Sequence, residues 1–138
     1  MIQRIQTLWL LLTAACAFIS LKLPFYTGNI MENQSSVFKS LTASSSLLIN
    51  IITVIIGVFA IVFIFLFKNR KRQLWLTFLL FLLTILQIVL LYFQTGSFVQ
   101  GTWAISILIY IAMPILLILA MRGIYKDEQL VKSVDRLR

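Results

Sequence analysis

The sequence predicts an all-α integral membrane protein: a four-helix bundle with both termini in the cytoplasm and an amphipathic cytoplasmic helix at its C-terminus. Three observations lead there. Of 138 residues, 61% are hydrophobic and only 12% charged, a ratio outside that of water-soluble domains. The apolar residues fall in four long blocks rather than in short periodic stretches, so a single membrane domain over residues 1–138 is expected. The cations, finally, are unevenly placed. Ten of the twelve fall on one side when the blocks are threaded back and forth across a bilayer: Arg4, Lys68, Arg70, Lys71, Arg72, Arg122, Lys126, Lys132, Arg136 and Arg138. Only Lys22 and Lys39 fall on the other. Lys and Arg stay behind in short cytoplasmic loops and are drawn to anionic lipid, so the net charge of +8 reads as a topology signal before it reads as nucleic-acid affinity.

The first span is expected over 7–23, after Arg4 and before Pro24. At about 1.5 Å per residue it is just long enough to cross. A cleaved signal peptide fits poorly, because the apolar run continues through Ala17, Phe18, Ile19 and Leu21 beyond the small residues Ala14 and Ala15. The same continuation weakens Ala14-Ala15-Cys16 as a lipoprotein cleavage site. Residues 24–46 are the one long polar stretch, with Gly28, Asn29, Glu32, Asn33, Gln34 and two serine clusters, and are expected to form an extracytoplasmic loop. Asn33-Gln34-Ser35 fits a glycosylation acceptor, a pattern too short to carry weight. Ser44, Ser45 and Ser46 suit the N-cap of the next helix, because a serine hydroxyl accepts from the free N–H groups of a first turn.

The second span, 47–67, is almost wholly Ile, Val, Phe and Leu and stops at Lys68. Lys68-Asn69-Arg70-Lys71-Arg72 does no more than reverse the chain, which makes the second and third spans antiparallel neighbours. The third is expected over 74–93. After Gln94, Thr95, Gly96, Ser97, Gln100 and Gly101 comes the fourth, 102–121, and then the tail 122–138. Trp9, Trp75 and Tyr125 fall at the cytoplasmic ends and Tyr26, Tyr92 and Trp103 at the outer ends, as two headgroup belts would require. No internal repeat marks the inverted halves of a transporter.

Chemistry is sparse. The acids Glu32, Asp127, Glu128 and Asp135 all lie outside the expected spans, so a proton-coupled exporter would lack its embedded carboxylate. Histidine is absent and Cys16 is alone, which removes the commonest base and metal ligand and any intrachain disulfide. No nucleophile, base and orienting group converge, so an enzyme is not expected and no catalytic, metal or cofactor site is assigned. Gln87, with Thr84 and Thr77 on preceding turns, either hydrogen-bonds within the bundle or marks a polar site or a contact with another subunit. Pro114 is expected to kink the fourth span and free the carbonyl of Tyr110. Ala14, Ala17, Gly57 and Ala60 would let helices approach closely, and Lys22 would snorkel to the outer headgroups.

In the tail, Leu130, Val131, Val134 and Leu137 recur at helical spacing, with Glu128 and Lys132 one turn apart. Such a helix would rest on anionic headgroups or dock on a protein. The opening Met1-Ile2-Gln3-Arg4-Ile5-Gln6-Thr7 carries one half of a resemblance. The ending carries the other, through Arg122, Lys126-Asp127-Glu128, Leu130-Val131, Ser133 and Asp135-Arg136-Leu137-Arg138. Together they resemble the two ends of a family of four-helix inner-membrane proteins from Bacteroidota, known only as a domain of unknown function. The resemblance covers the layout of the whole chain but rests on its ends; it implies topology and a bacterial inner-membrane location, and no activity. The ending is more specific than lipid binding requires, which points to a protein that reads it.

The expected role is a non-enzymatic accessory subunit of a larger inner-membrane assembly, with secretion or translocation machinery as a fitting class. Its docking face would comprise Lys68, Arg70, Lys71, Arg72, Arg122, Lys126, Asp127, Glu128, Lys132, Asp135, Arg136 and Arg138, and could also meet ribosomal RNA. The rival is a small oligomeric transporter or channel in which Thr84, Gln87, Ser106 and the Pro114 kink line a polar path.

Overall fold

The computed structural model describes residues 3–32, 35–66 and 69–135, with side chains over 5–31, 35–66 and 69–130. Four helices make up most of it: α1 (Gln3–Ser20), α2 (Leu47–Phe65), α3 (Arg70–Thr95) and α4 (Ile107–Asp135). α1 packs against α2 and α4, and α3 packs against the same two, which closes an antiparallel ring. By length and composition α2, α3 and the Ile107–Leu130 part of α4 can cross a membrane, whereas the apolar stretch of α1, Ile5–Ser20, is shorter. Their outward faces carry Leu8, Leu11, Val58, Ile61, Leu79, Leu82, Ile111 and Ile118, all exposed. Helices meet lipid well in this way, because every backbone polar group is satisfied within the segment.

The all-α expectation needs correcting, because the chain also folds a three-stranded antiparallel sheet. Its strands are β1 (Pro24–Glu32), β2 (Ser35–Thr42) and β3 (Gln100–Trp103), in the order β2-β1-β3. Most of the expected outer loop is thus a hairpin, in register from Glu32↔Ser35 to Pro24↔Thr42 with one irregularity between Pro24 and Tyr26. Phe25, Tyr26, Thr27, Ile30, Val37 and Phe38 supply the aromatic and branched side chains that favour strands. The fourth helix begins at Ile107 rather than 102, because the residues before it pair with β1, Tyr26 opposite Trp103 and Gly28 opposite Gly101. A Cβ on Gly28 would stand 2.6 Å from Gly101 Cα, and one on Gly101 would stand 2.7 Å from Thr27 O and against the Tyr26 ring. Glycine at both positions permits this crossing, and the Tyr26 ring covers the gap it leaves.

Aromatic contacts fix the sheet to the bundle. Phe25 meets Trp103 and Tyr110 edge-on at 5.5 and 5.2 Å, and Tyr26 meets Phe98 and Trp103 at 5.3 and 5.0 Å. Tyr92 stacks on Trp103 at 6.4 Å, so the aromatic residues at the sheet end form one packed cluster. Tyr110 also satisfies the end of α1: its hydroxyl lies 2.8 Å from Ser20 O and 2.9 Å from Leu23 O, while Ser106 Oγ donates to Pro24 O. The carbonyls at the end of α1 and just beyond it thus find donors in Tyr110 of α4 and in Ser106, the residue before that helix.

Two smaller expectations change. Ser46 occupies the N-cap of α2 without a side-chain capping bond, and Ser45 Oγ serves the end of β2 instead, accepting from Thr42 N–H at 2.8 Å. The tail is not a separate helix: α4 passes through Pro114 and continues unbroken to Asp135. Between Met121 and Asp135 the chain has no proline and one glycine, so nothing ends the helix where the apolar stretch stops.

Candidate functional site

The inward stripe of each helix sets the site. α3 buries Gln73, Thr77, Leu80, Thr84, Gln87 and Leu91, and α4 buries Tyr110, Met113, Leu117, Ala120, Ile124 and Asp127. Steps of three and four along both are the spacing of a left-handed bundle. α1 contributes Gln6, Thr13 and Ser20 at seven-residue intervals, and α2 contributes Thr53. Ala14, Ala17 and Ala60 are buried as expected, and the Phe18 ring lies over Gly57, 2.9 Å from where a Cβ would stand. Lipid offers little apolar drive for helices to associate, so close approach at small residues and polar contacts supply the cohesion.

The hydroxyls are satisfied on their own helices. Thr13 donates to Trp9 O at 2.9 Å, Thr53 to Ile49 O at 2.7 Å, Thr77 to Gln73 O at 2.8 Å, and Thr84 to Phe81 O at 2.7 Å. The longer glutamines reach across. Gln87 Nε2 donates to Thr53 Oγ1 at 2.8 Å, and Gln73 Nε2 donates to Phe63 O at 2.8 Å, each joining α3 to α2. Their oxygens gain nothing in return: Gln6 Oε1, Gln73 Oε1, Gln87 Oε1 and Asp127 Oδ2 are buried without a hydrogen-bond partner. A buried acceptor left so costs about 1–3 kcal/mol.

At the end of the bundle where α1 begins, Arg70 is half-buried and its Nη1 donates to the Asp127 backbone carbonyl at 2.7 Å, tying α3 to α4. Lys71, Arg72, Arg122 and Lys126 are exposed around it. Asp127 departs from expectation: it is 4% exposed and so is not offered to a partner. Because α4 stays helical past Met121, Asp127 falls seven residues after Ala120 on the inward stripe, and one acid therefore does lie within the bundle. Glu128 is half-buried. Lys68, Arg136 and Arg138 lie outside the described residues, as do the side chains of Lys132 and Asp135.

Thr84 and Gln87 share the inward stripe of α3, and Pro114 is half-buried on α4. Ser106 sits apart, at the sheet end. Sequence reasoning missed Gln6, Thr13, Ser20, Thr53 and Gln73. Polar residues at heptad spacing inside α1, and Gln73 on the same stripe as Thr77, Thr84 and Gln87, were the available signal. Among the described residues no group of three or more His, Cys, Asp or Glu is arranged to hold a metal.

A family model described as a domain of unknown function, DUF4293, matches residues 2–137. No curated protein and no solved structure matches the chain.

Proposed function

The chain belongs to the DUF4293 family, and from that premise and the geometry above we propose that it is a non-enzymatic subunit of a larger bacterial inner-membrane assembly, docking through its basic end. In this reading α1 crosses the bilayer beside the other three helices, both termini are cytoplasmic and the sheet lies outside. One observation carries it. α4 has 29 residues, about 43 Å of helix against a hydrocarbon core of about 30 Å. It leaves the membrane as a continuous rod, with Arg122 and Lys126 exposed beside Lys71 and Arg72. A helix meant to lie on headgroups would break at the boundary, so the rod favours a protein partner over lipid. Secretion or translocation machinery is a suitable class, and ribosomal RNA would meet the same cations.

The test is purification of the tagged protein from native membranes in mild detergent, with and without crosslinking. A defined partner should co-purify, and should be lost when Lys71, Arg72, Arg122 and Lys126 are changed to Glu. Recovery of the lone polypeptide under both conditions overturns the proposal.

The buried polar seam favours a second reading, a small oligomeric transporter or channel. Its difficulty is that Thr84 and Gln87 face the interior of a single bundle, whereas a pore between copies would need them on an outward face. Liposome flux abolished by Gln87→Leu would support this reading; flux equal to that of empty vesicles removes it.

A further inference from the structure

We propose that the basic end of the bundle holds a buried site for a monovalent metal cation, liganded by Gln6 Oε1, Gln73 Oε1 and the Asp127 carboxylate. Three of the four orphaned acceptors belong to these residues, which are 3%, 1% and 4% exposed. Contacts between the helices put them at one level of the bundle. A Cβ on Gly123 would stand 3.3 Å from Gln6 Cβ, so Gln6 packs where α4 has no side chain, one turn before Asp127. Helical side chains lean toward the N-terminus, which on antiparallel α1 is the direction of Asp127. Arg70 holds the Asp127 carbonyl, and Gln73 lies one turn further into α3. Three helices thus bring an oxygen each to the same end.

The chemistry selects the ligand. The Gln73 amide cannot be turned over, because its nitrogen is committed to Phe63 O, which only accepts. The Asp127 carboxylate likewise only accepts and brings one formal negative charge, and the Gln6 amide, which also carries two N–H groups, adds its buried oxygen. A divalent ion prefers more carboxylates than one, whereas two amide oxygens and one carboxylate suit Na⁺ or K⁺. The fourth orphan, Gln87, lies two heptads deeper along α3, about 21 Å away, so the group is an end site rather than a stage of a continuous path.

The experiment uses the full chain in detergent micelles and follows thermal unfolding in NaCl, KCl and choline chloride at matched ionic strength, with ²³Na line broadening as a direct readout of binding. The expected result is a saturable rise in melting temperature with Na⁺ or K⁺ that choline does not give. Asp127→Asn, which keeps the shape and loses the charge, should raise the half-saturating concentration about tenfold or more. Gln6→Leu should weaken the response, while Lys39→Gln, on the exposed surface of β2, should leave it unchanged. Circular dichroism establishes that each variant is folded. Equal melting in all three salts overturns the proposal, as would a metal-ion response that Asp127→Asn preserves or the finding that water alone fills the site.

Discussion

Gln87 and Tyr110 show how single polar groups behave when the surroundings offer no water. Gln87 gives one hydrogen bond to Thr53, whose own proton goes to Ile49, and keeps an unpaired oxygen. Gln87→Leu removes a bond worth about 0.6 kcal/mol together with an orphan that costs about 1–3 kcal/mol, so stability measured by thermal unfolding in detergent should not fall and should rise by up to about 2 kcal/mol. Tyr110→Phe is different, because it strips the hydroxyl donor that the carbonyls of Ser20 and Leu23 share. A loss of about 0.5–1.5 kcal/mol is expected in the same measurement. Thr84 and Gln87 were legible in the sequence because they interrupt an apolar block. Asp127 was not: whether it faces in or out depends on α4 continuing past Met121, and the charged residues around it mask that continuation.

Among the elements, the helices were readable and the sheet was not. Apolar blocks of membrane length leave little choice of conformation, since an unpaired backbone in lipid is costly. The stretch from Pro24 to Thr42 mixes strand-forming residues with Gly, Asn and Ser, so its polarity hid its pairing. β3 is four residues long, too short for any pattern, and its partner precedes it by two helices. The glycine crossing offers the sharpest test of the sheet. Gly101→Val would force a side chain into Thr27 and the Tyr26 ring, with an expected loss of about 1–3 kcal/mol and a shifted tryptophan emission from Trp103. Gly96→Ala is the control. Its nearest neighbour would be Phe93 O at 3.4 Å and its backbone is already helical, so it should be tolerated.

For the molecule as a whole, Gln6 packing beside Gly123 puts the start of α1 and the charged part of α4 at one end of the bundle, and the charge placement expects that end to lie on one side of a bilayer. Which side that is follows from the proposed orientation. Cysteine placed at the exposed position Lys71 should react with a membrane-impermeant label only after the cells are opened, while one at exposed Phe38 should react in intact spheroplasts. The reverse pattern would invert the proposed docking face. The pairing of β1 with β3 has a consequence for biogenesis. When β1 emerges from the ribosome its second edge has no mate, and the strand that closes it appears only after α2 and α3 have been made. A chain interrupted before Gln100 therefore displays an open, sticky margin.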